Sequence, residues 1–148
     1  MSATADPHLT PELIIHAYRQ GLFPMSDAVD DPHTFWVDPH MRGIMPLEGF
    51  HVPRRLARTI RQAPFDIRIN TDFRQTIEAC RSPADDRPSS WINDEILSAY
   101  CKLHRMGYAH SVESWAGARL VGGLYGVCIA GAFFGESMFS VSYTHLRA

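Results

Sequence analysis

The stretch AHSVESWAGARLVGGLYGVCIAGAFFGESMF, residues 109–139, decides the fold. It contains three strand candidates in close succession, Ala109 to Trp115, Arg119 to Val127 and Ala132 to Phe139. Ala116-Gly117 and Ala130-Gly131 supply the turns between them, so the three form an antiparallel meander. The last strand carries Phe133, Phe134, Met138 and Phe139, which alternation assigns to both faces. Apolar side chains on both faces imply a sheet covered on both sides.

Upstream of the meander, Phe65-Asp-Ile-Arg-Ile-Asn70 alternates as a strand, with Phe65, Ile67 and Ile69 on one face. Phe73, Ile77 and Cys80 mark a helix, and Arg81 to Ser90, rich in Pro, Asp and Ser, reads as a loop. Asn93 caps a further helix with Asp94 and Glu95 in its first turn. Ile96, Leu97, Tyr100 and Leu103 form its buried stripe, and Gly107 stops it. The order is strand, helix, helix, meander, so the fold class is α+β. Two helices cover one face of the four-stranded sheet, and the chain offers nothing for the other.

Thr10-Pro11-Glu12 opens an N-terminal helix with a cap, a proline suited to the first helical position and an acidic first turn. Leu13, Ile14, Ala17 and Tyr18 recur at helical spacing and Gly21 ends it. Residues 21 to 50 are short apolar bursts broken by Pro and Asp, which suits brief strands and packed loops. A helix from about Pro53 to Gln62 is expected to turn Val52, Leu56 and Ile60 inward and its arginines outward.

No apolar run approaches the roughly 18 residues that span a bilayer, and Met1 to Thr10 lacks the pattern of a signal peptide. Cys80, Cys101 and Cys128 are widely spaced and read as buried thiols of a reducing compartment, with the cytoplasm as the default. A net charge of −2 excludes a generally basic nucleic-acid binder and confines any such contact to a local patch. Arg54, Arg55, Arg58 and Arg61 form such a patch, although on their own they read as a solvated helix face. His104 and His110 lack the i, i+4 spacing of a helical zinc motif and no acidic or Cys cluster joins them, so hydrogen bonding is expected of them and no metal.

Three groups of residues carry a specific resemblance. The first is Gly21-Leu-Phe-Pro-Met25 with Phe35-Trp36-Val-Asp-Pro39. The second is Ser90-Trp91-Ile-Asn93, Leu103-His104 and Gly107-Tyr-Ala-His-Ser-Val-Glu113. The third is Leu120-Val-Gly-Gly-Leu-Tyr-Gly126 with Phe133-Phe-Gly-Glu-Ser-Met-Phe139. In this order and spacing, from about residue 11 to Ser140, the chain resembles the leucyl/phenylalanyl-tRNA–protein transferases of the bacterial N-degron pathway. The resemblance implies a small N-terminal α/β domain over residues 1–64. Residues 65–140 would then be the first half of an N-acetyltransferase-like (GNAT) domain with its sheet incomplete. It implies transfer of Leu or Phe from aminoacyl-tRNA to acceptor proteins that begin with Lys or Arg, marking them for degradation. The aminoacyl ester is already activated, so no cofactor, metal or ATP is implied. The gain comes from positioning the amine and managing one proton.

Residue by residue, the resemblance gives Trp91 the role of stacking on the terminal adenine, where its bland reading is a loop packed onto the body. Met25 stands where better-known members carry a second tryptophan. Leu124, Phe133 and Met138 map onto the pocket for the Leu or Phe side chain, with Gly135 beside them. An ordinary core strand explains their apolar pattern equally well. Glu136 maps into the catalytic pocket. A carboxylate among Phe133, Phe134, Met138 and Phe139 needs a partner, and an ion pair with an arginine is its bland alternative. The arginines at 54, 55, 58 and 61 would face tRNA phosphates.

The resemblance stops after Ser140, where the family would continue into a helix and further strands. Residues 141–148 resemble a translated sequencing-library adapter and are expected to be a non-native tail, and this chain is expected not to transfer an amino acid. Two other readings remain open at this point. One is a fragment of an acetyl-CoA-dependent N-acetyltransferase, and the other is a non-catalytic tRNA-binding module.

Overall fold

The computed structural model describes residues 8–84 and 88–141; residues 142–148 of the expected tail lie outside them. Helix α1, Pro11–Arg19, starts where Thr10 accepts a hydrogen bond from the Leu13 amide. A left-handed Gly21 closes it at φ +86°. Strands β1, Phe23–Met25, and β2, Phe35–Val37, pair antiparallel as a small separate ribbon. After a 3-10 turn at Leu47–Gly49 comes α2, Arg54–Gln62.

Strand β3, Asp66–Ile69, precedes α3, Phe73–Arg81, and α4, Asp94–Arg105. Asp72 caps α3 and Asn93 caps α4 through their side-chain oxygens. The meander is β4, Ala109–Ala116, β5, Arg119–Ile129, and β6, Ala132–Ser140. Its second turn places Ala130 and Gly131 both at positive φ, as a two-residue hairpin of primed type requires. The four strands form one antiparallel sheet in the order β3-β4-β5-β6. The class is α+β, as the element order predicted, and the described residues contain two antiparallel sheets.

Helices α3 and α4 pack on one face of this sheet, and α1 packs on α4. The resulting core joins Ile14 and Tyr18 of α1, Phe73 and Ile77 of α3, Ile96, Tyr100 and Leu103 of α4, and Tyr125 and Val127 of β5. Among the described residues, the other face is left open. Ile69, Val112, Leu124 and Met138 pair in register across all four strands and form one apolar row on it. Ile69 is 67% exposed and Met138 71% exposed.

Two expectations need correction. Helix α2 has no buried residue, and Val52 and Ile60 are exposed instead of facing inward. Of the three residues expected to face inward, Leu56 alone is half-buried. Cys128 is exposed where a buried thiol was expected, because it follows Val127 on the strand and so points away from the helical layer, whereas Cys80 and Cys101 are buried.

Candidate active site

Glu136 owes its position to a break in strand register. Tyr125 pairs with Ser137, yet the next residue, Gly126, pairs with Gly135, so Glu136 is the extra residue of a β-bulge. Ordinary alternation would put Glu136 and Ser137 on opposite faces. Across the bulge both are half-buried, while Gly135 and Met138 on either side are exposed.

The carboxylate meets the hydroxyl of Tyr18 on α1, which donates a hydrogen bond to Oε1. The Tyr18 hydroxyl also lies 2.7 Å from that of Tyr100 on α4. Phe134 sets its ring edge-on to Tyr18 at 5.1 Å. The expected alternative of an arginine ion pair is replaced by a phenol. Arg42 contributes only at longer range, held by the Gly21 carbonyl and lying 5.2 Å over the Phe23 ring.

Burial pushes the Glu136 carboxyl up to about 7, against the Tyr18 hydrogen bond and the Arg42 charge, which both favour the ionised form. Burial and the Glu136 charge hold the hydroxyls of Tyr18 and Tyr100 well above the ordinary tyrosine value, so both keep their protons at neutral pH. The site is therefore a carboxylate that can change its charge near neutrality, held by a phenol that cannot.

Ser26, the residue after Met25, is tied to the backbone of Trp91. Its amide and its hydroxyl both donate to the Trp91 carbonyl, at 3.1 and 2.8 Å. The Asn93 amide nitrogen donates to the Asp31 carbonyl at 2.9 Å, fastening the loop after β1 to the start of α4. Trp91 itself is partly buried against the core.

Leu124, Phe133, Gly135 and Met138 lie on the bare side of the sheet. Leu124 and Met138 are direct cross-strand partners. Phe133 covers Gly126 so closely that an added Cβ there would stand 2.6 Å from its ring. These residues share one surface, and Glu136 reaches through the bulge to the other side of the strand. Arg54, Arg55, Arg58 and Arg61 are all exposed on α2. Two open depressions of about 450 and 490 Å³ both lie beside Val29 and Asp30, and neither is lined by Glu136 or Trp91.

His104 donates its Nδ1–H to the Ala109 carbonyl and stacks on Phe73 at 4.4 Å, and His110 bonds Asn70 and the Gly107 carbonyl. Both have the hydrogen bonds expected of them.

Residues 44–145 match the family described as leucyl/phenylalanyl-tRNA protein transferase, and residues 8–40 match that family's N-terminal domain. The chain belongs to this family. A relative from Hyphomonas neptunium (strain ATCC 15444) named leucyl/phenylalanyl-tRNA–protein transferase is 55% identical over 145 residues, covering 93% of this chain and 56% of the relative. The chain thus spans little more than half the length of that family member.

Two residues of this transferase-family chain escaped the sequence reading. Tyr18 looked like one more apolar position of the α1 stripe, and nothing local distinguishes it from Ile14. Glu113 stood inside a quoted motif without a role. It is 0% exposed, and its carboxylate accepts from the Asp72 amide, the Ser111 hydroxyl and the Trp115 indole at 2.9, 2.7 and 2.9 Å. Strand alternation could have found it, since Ser111, Glu113 and Trp115 must share the face that meets α3.

Proposed function

We propose that this chain carries the aminoacyl-tRNA-binding part of an enzyme that transfers Leu or Phe to proteins beginning with Lys or Arg. The products are thereby marked for degradation, and the reaction belongs to the cytoplasm. The observation that carries this reading is the bulge that turns the Glu136 carboxylate onto Tyr18, in a chain belonging to this family. In its ionised form Glu136 accepts hydrogen bonds from the aminoacyl end and orients the ester for attack by the incoming amine. Attack at the ester carbonyl forms the new amide, releases the tRNA 3′ hydroxyl and requires loss of one proton from the amine.

Trp91 stacks on the terminal adenine, and Met25, tied to it through Ser26, covers the other face with its thioether. Leu124, Phe133, Gly135 and Met138 bound the slot for the Leu or Phe side chain. Four exposed arginines on α2 meet phosphates of the tRNA without reading bases. The four-stranded sheet with α3 and α4 is the first half of an N-acetyltransferase-like domain beginning near residue 65, and residues before it form the N-terminal domain.

The test is a titration with phenylalanyl-adenosine joined through a non-hydrolysable amide, followed by tryptophan emission. Binding with quenching is expected, and Trp91→Ala should weaken it by about ten-fold, within the 1–3 kcal/mol of a base–aromatic stack. Failure of the parent chain to bind would end this reading.

A further inference from the structure

We infer that Tyr18 is a positioning residue for Glu136: its hydroxyl, braced by that of Tyr100, fixes where the carboxylate points within the proposed site. This rests on the role given to Glu136 above. A phenol has one proton to donate, and Tyr18 gives it to Glu136 Oε1. Across the 2.7 Å contact between the two tyrosines, Tyr100 is then the donor. The direction of the chain is set: Tyr100 to Tyr18 to Glu136. Each bond polarises the next, both phenols being buried.

The three residues come from three elements, α4, α1 and β6. Tyr100 is immobilised in the core of α4, fully buried and edge-on to Tyr125 at 5.6 Å. Tyr18 is gripped by Phe134, two residues before Glu136 on β6. Among the described residues no other hydroxyl or N–H donates to Glu136, so without Tyr18 nothing selects one orientation for the bulged side chain.

The ionisable groups around the carboxylate are Tyr18 of α1, Tyr100 of α4, Tyr125 of β5 and Arg42 in the loop after β2. The three tyrosines stay neutral across the working range, so Glu136 is the member of the group that titrates near neutrality. Helix α1 therefore supplies part of the site and does more than pack against α4.

Two measurements on the 148-residue chain test this. The first follows the Glu136 side-chain carbon by NMR in protein labelled at glutamate, assigned with Glu136→Gln. The parent midpoint is expected near 7. In Tyr18→Phe, which keeps the ring and removes only the hydroxyl, the midpoint should move up by about one pH unit, the lower end of what a hydrogen bond to a charged group supplies. In Tyr100→Phe it should move the same way by less, because Tyr18 still donates.

The second measures the affinity for the phenylalanyl-adenosine amide between pH 6 and pH 8.5 in parent and variant. The ratio of the two cancels the titration of the ligand itself. Tyr18→Phe should bind about five-fold more weakly at pH 7, with the gap narrowing as the pH rises. A purely structural tyrosine would weaken binding equally at every pH.

An unmoved Glu136 midpoint in a Tyr18→Phe protein with parent-like near-ultraviolet circular dichroism would overturn the inference. So would a moved midpoint with a pH-independent affinity ratio. Should Tyr18→Phe fail to fold, an unmoved midpoint in Tyr100→Phe overturns it as well. If the parent binds no amide at any pH, the function proposed above falls, and the NMR midpoints alone still decide whether Tyr18 governs Glu136.

Discussion

Replacing Glu136 by Gln should stabilise the protein at alkaline pH and do little at acid pH. The carboxyl has an ordinary value of 4.5 and is raised to about 7 by burial in the folded protein. Between those values the unfolded chain has released the proton and the folded chain still holds it, so stability falls as the pH rises. The contribution is fully present below about 4.5 and lost by the time the pH passes about 7. A rise of about 2.5 pH units corresponds to about 3.5 kcal/mol at about 1.4 kcal/mol per unit. Glu136 is half-buried, and water screens part of this, so about 2–3 kcal/mol is expected.

Glutamine copies the neutral acid in shape and can still accept from Tyr18 through its carbonyl oxygen. Urea unfolding of parent and Glu136→Gln from pH 5 to pH 8.5 isolates the effect, since the titrations of all other groups cancel in the difference. The two should differ by less than about 1 kcal/mol at pH 5 and separate progressively, with the variant more stable by about 2–3 kcal/mol at pH 8.5, or roughly 5–10 °C in Tm. Parallel curves would refute the reasoning, because they would mean the carboxyl titrates alike in both states. A gain in stability on removing this charge fits a group retained for chemistry at the expense of the fold.

Glu113→Ala should cost about 3–5 kcal/mol in the same urea assay, because it strands three donors around a fully buried cavity; a loss below 1 kcal/mol would show that water or repacking replaces them. Gly126→Ala should cost about 2–4 kcal/mol, since a Cβ there would stand 2.3 Å from the Phe134 carbonyl oxygen. Gly135→Ala meets nothing within 4 Å and should cost less than about 1 kcal/mol, so equal effects at the two glycines would contradict the register of β5 and β6. Replacing Arg54 and Arg58 together by Ala should weaken tRNA binding and flatten the plot of log affinity against log salt by about two phosphate contacts' worth; an unchanged slope would remove α2 from the interface.

Local chemistry in the sequence was sufficient for the elements. Thr10, Asp72 and Asn93 cap helices because a short polar side chain can satisfy a free amide three residues on. Ala130-Gly131 makes a hairpin because both residues sit at positive φ, and the period-two pattern of residues 109–139 leaves a meander as the simplest sheet. The bare apolar face was legible too, from counting two helices against one two-sided sheet.

Other features depend on register and on partners distant in the chain, which no local pattern encodes. The bulge at Glu136 arises from how β6 lies on β5, and it alone turns the carboxylate toward α1. Tyr18 stands 118 residues before Glu136 and is indistinguishable in sequence from the apolar residues of its stripe. Helix α2 shows the converse, since amphipathic spacing says that a face can be buried, yet Val52 and Ile60 stay exposed. By itself the sequence determined which segments form helices and strands and which family they belong to. Only tertiary packing decided that the acid at the centre of the proposed site is held by a phenol, because a hydrogen bond between remote residues exists only once three separate elements have met.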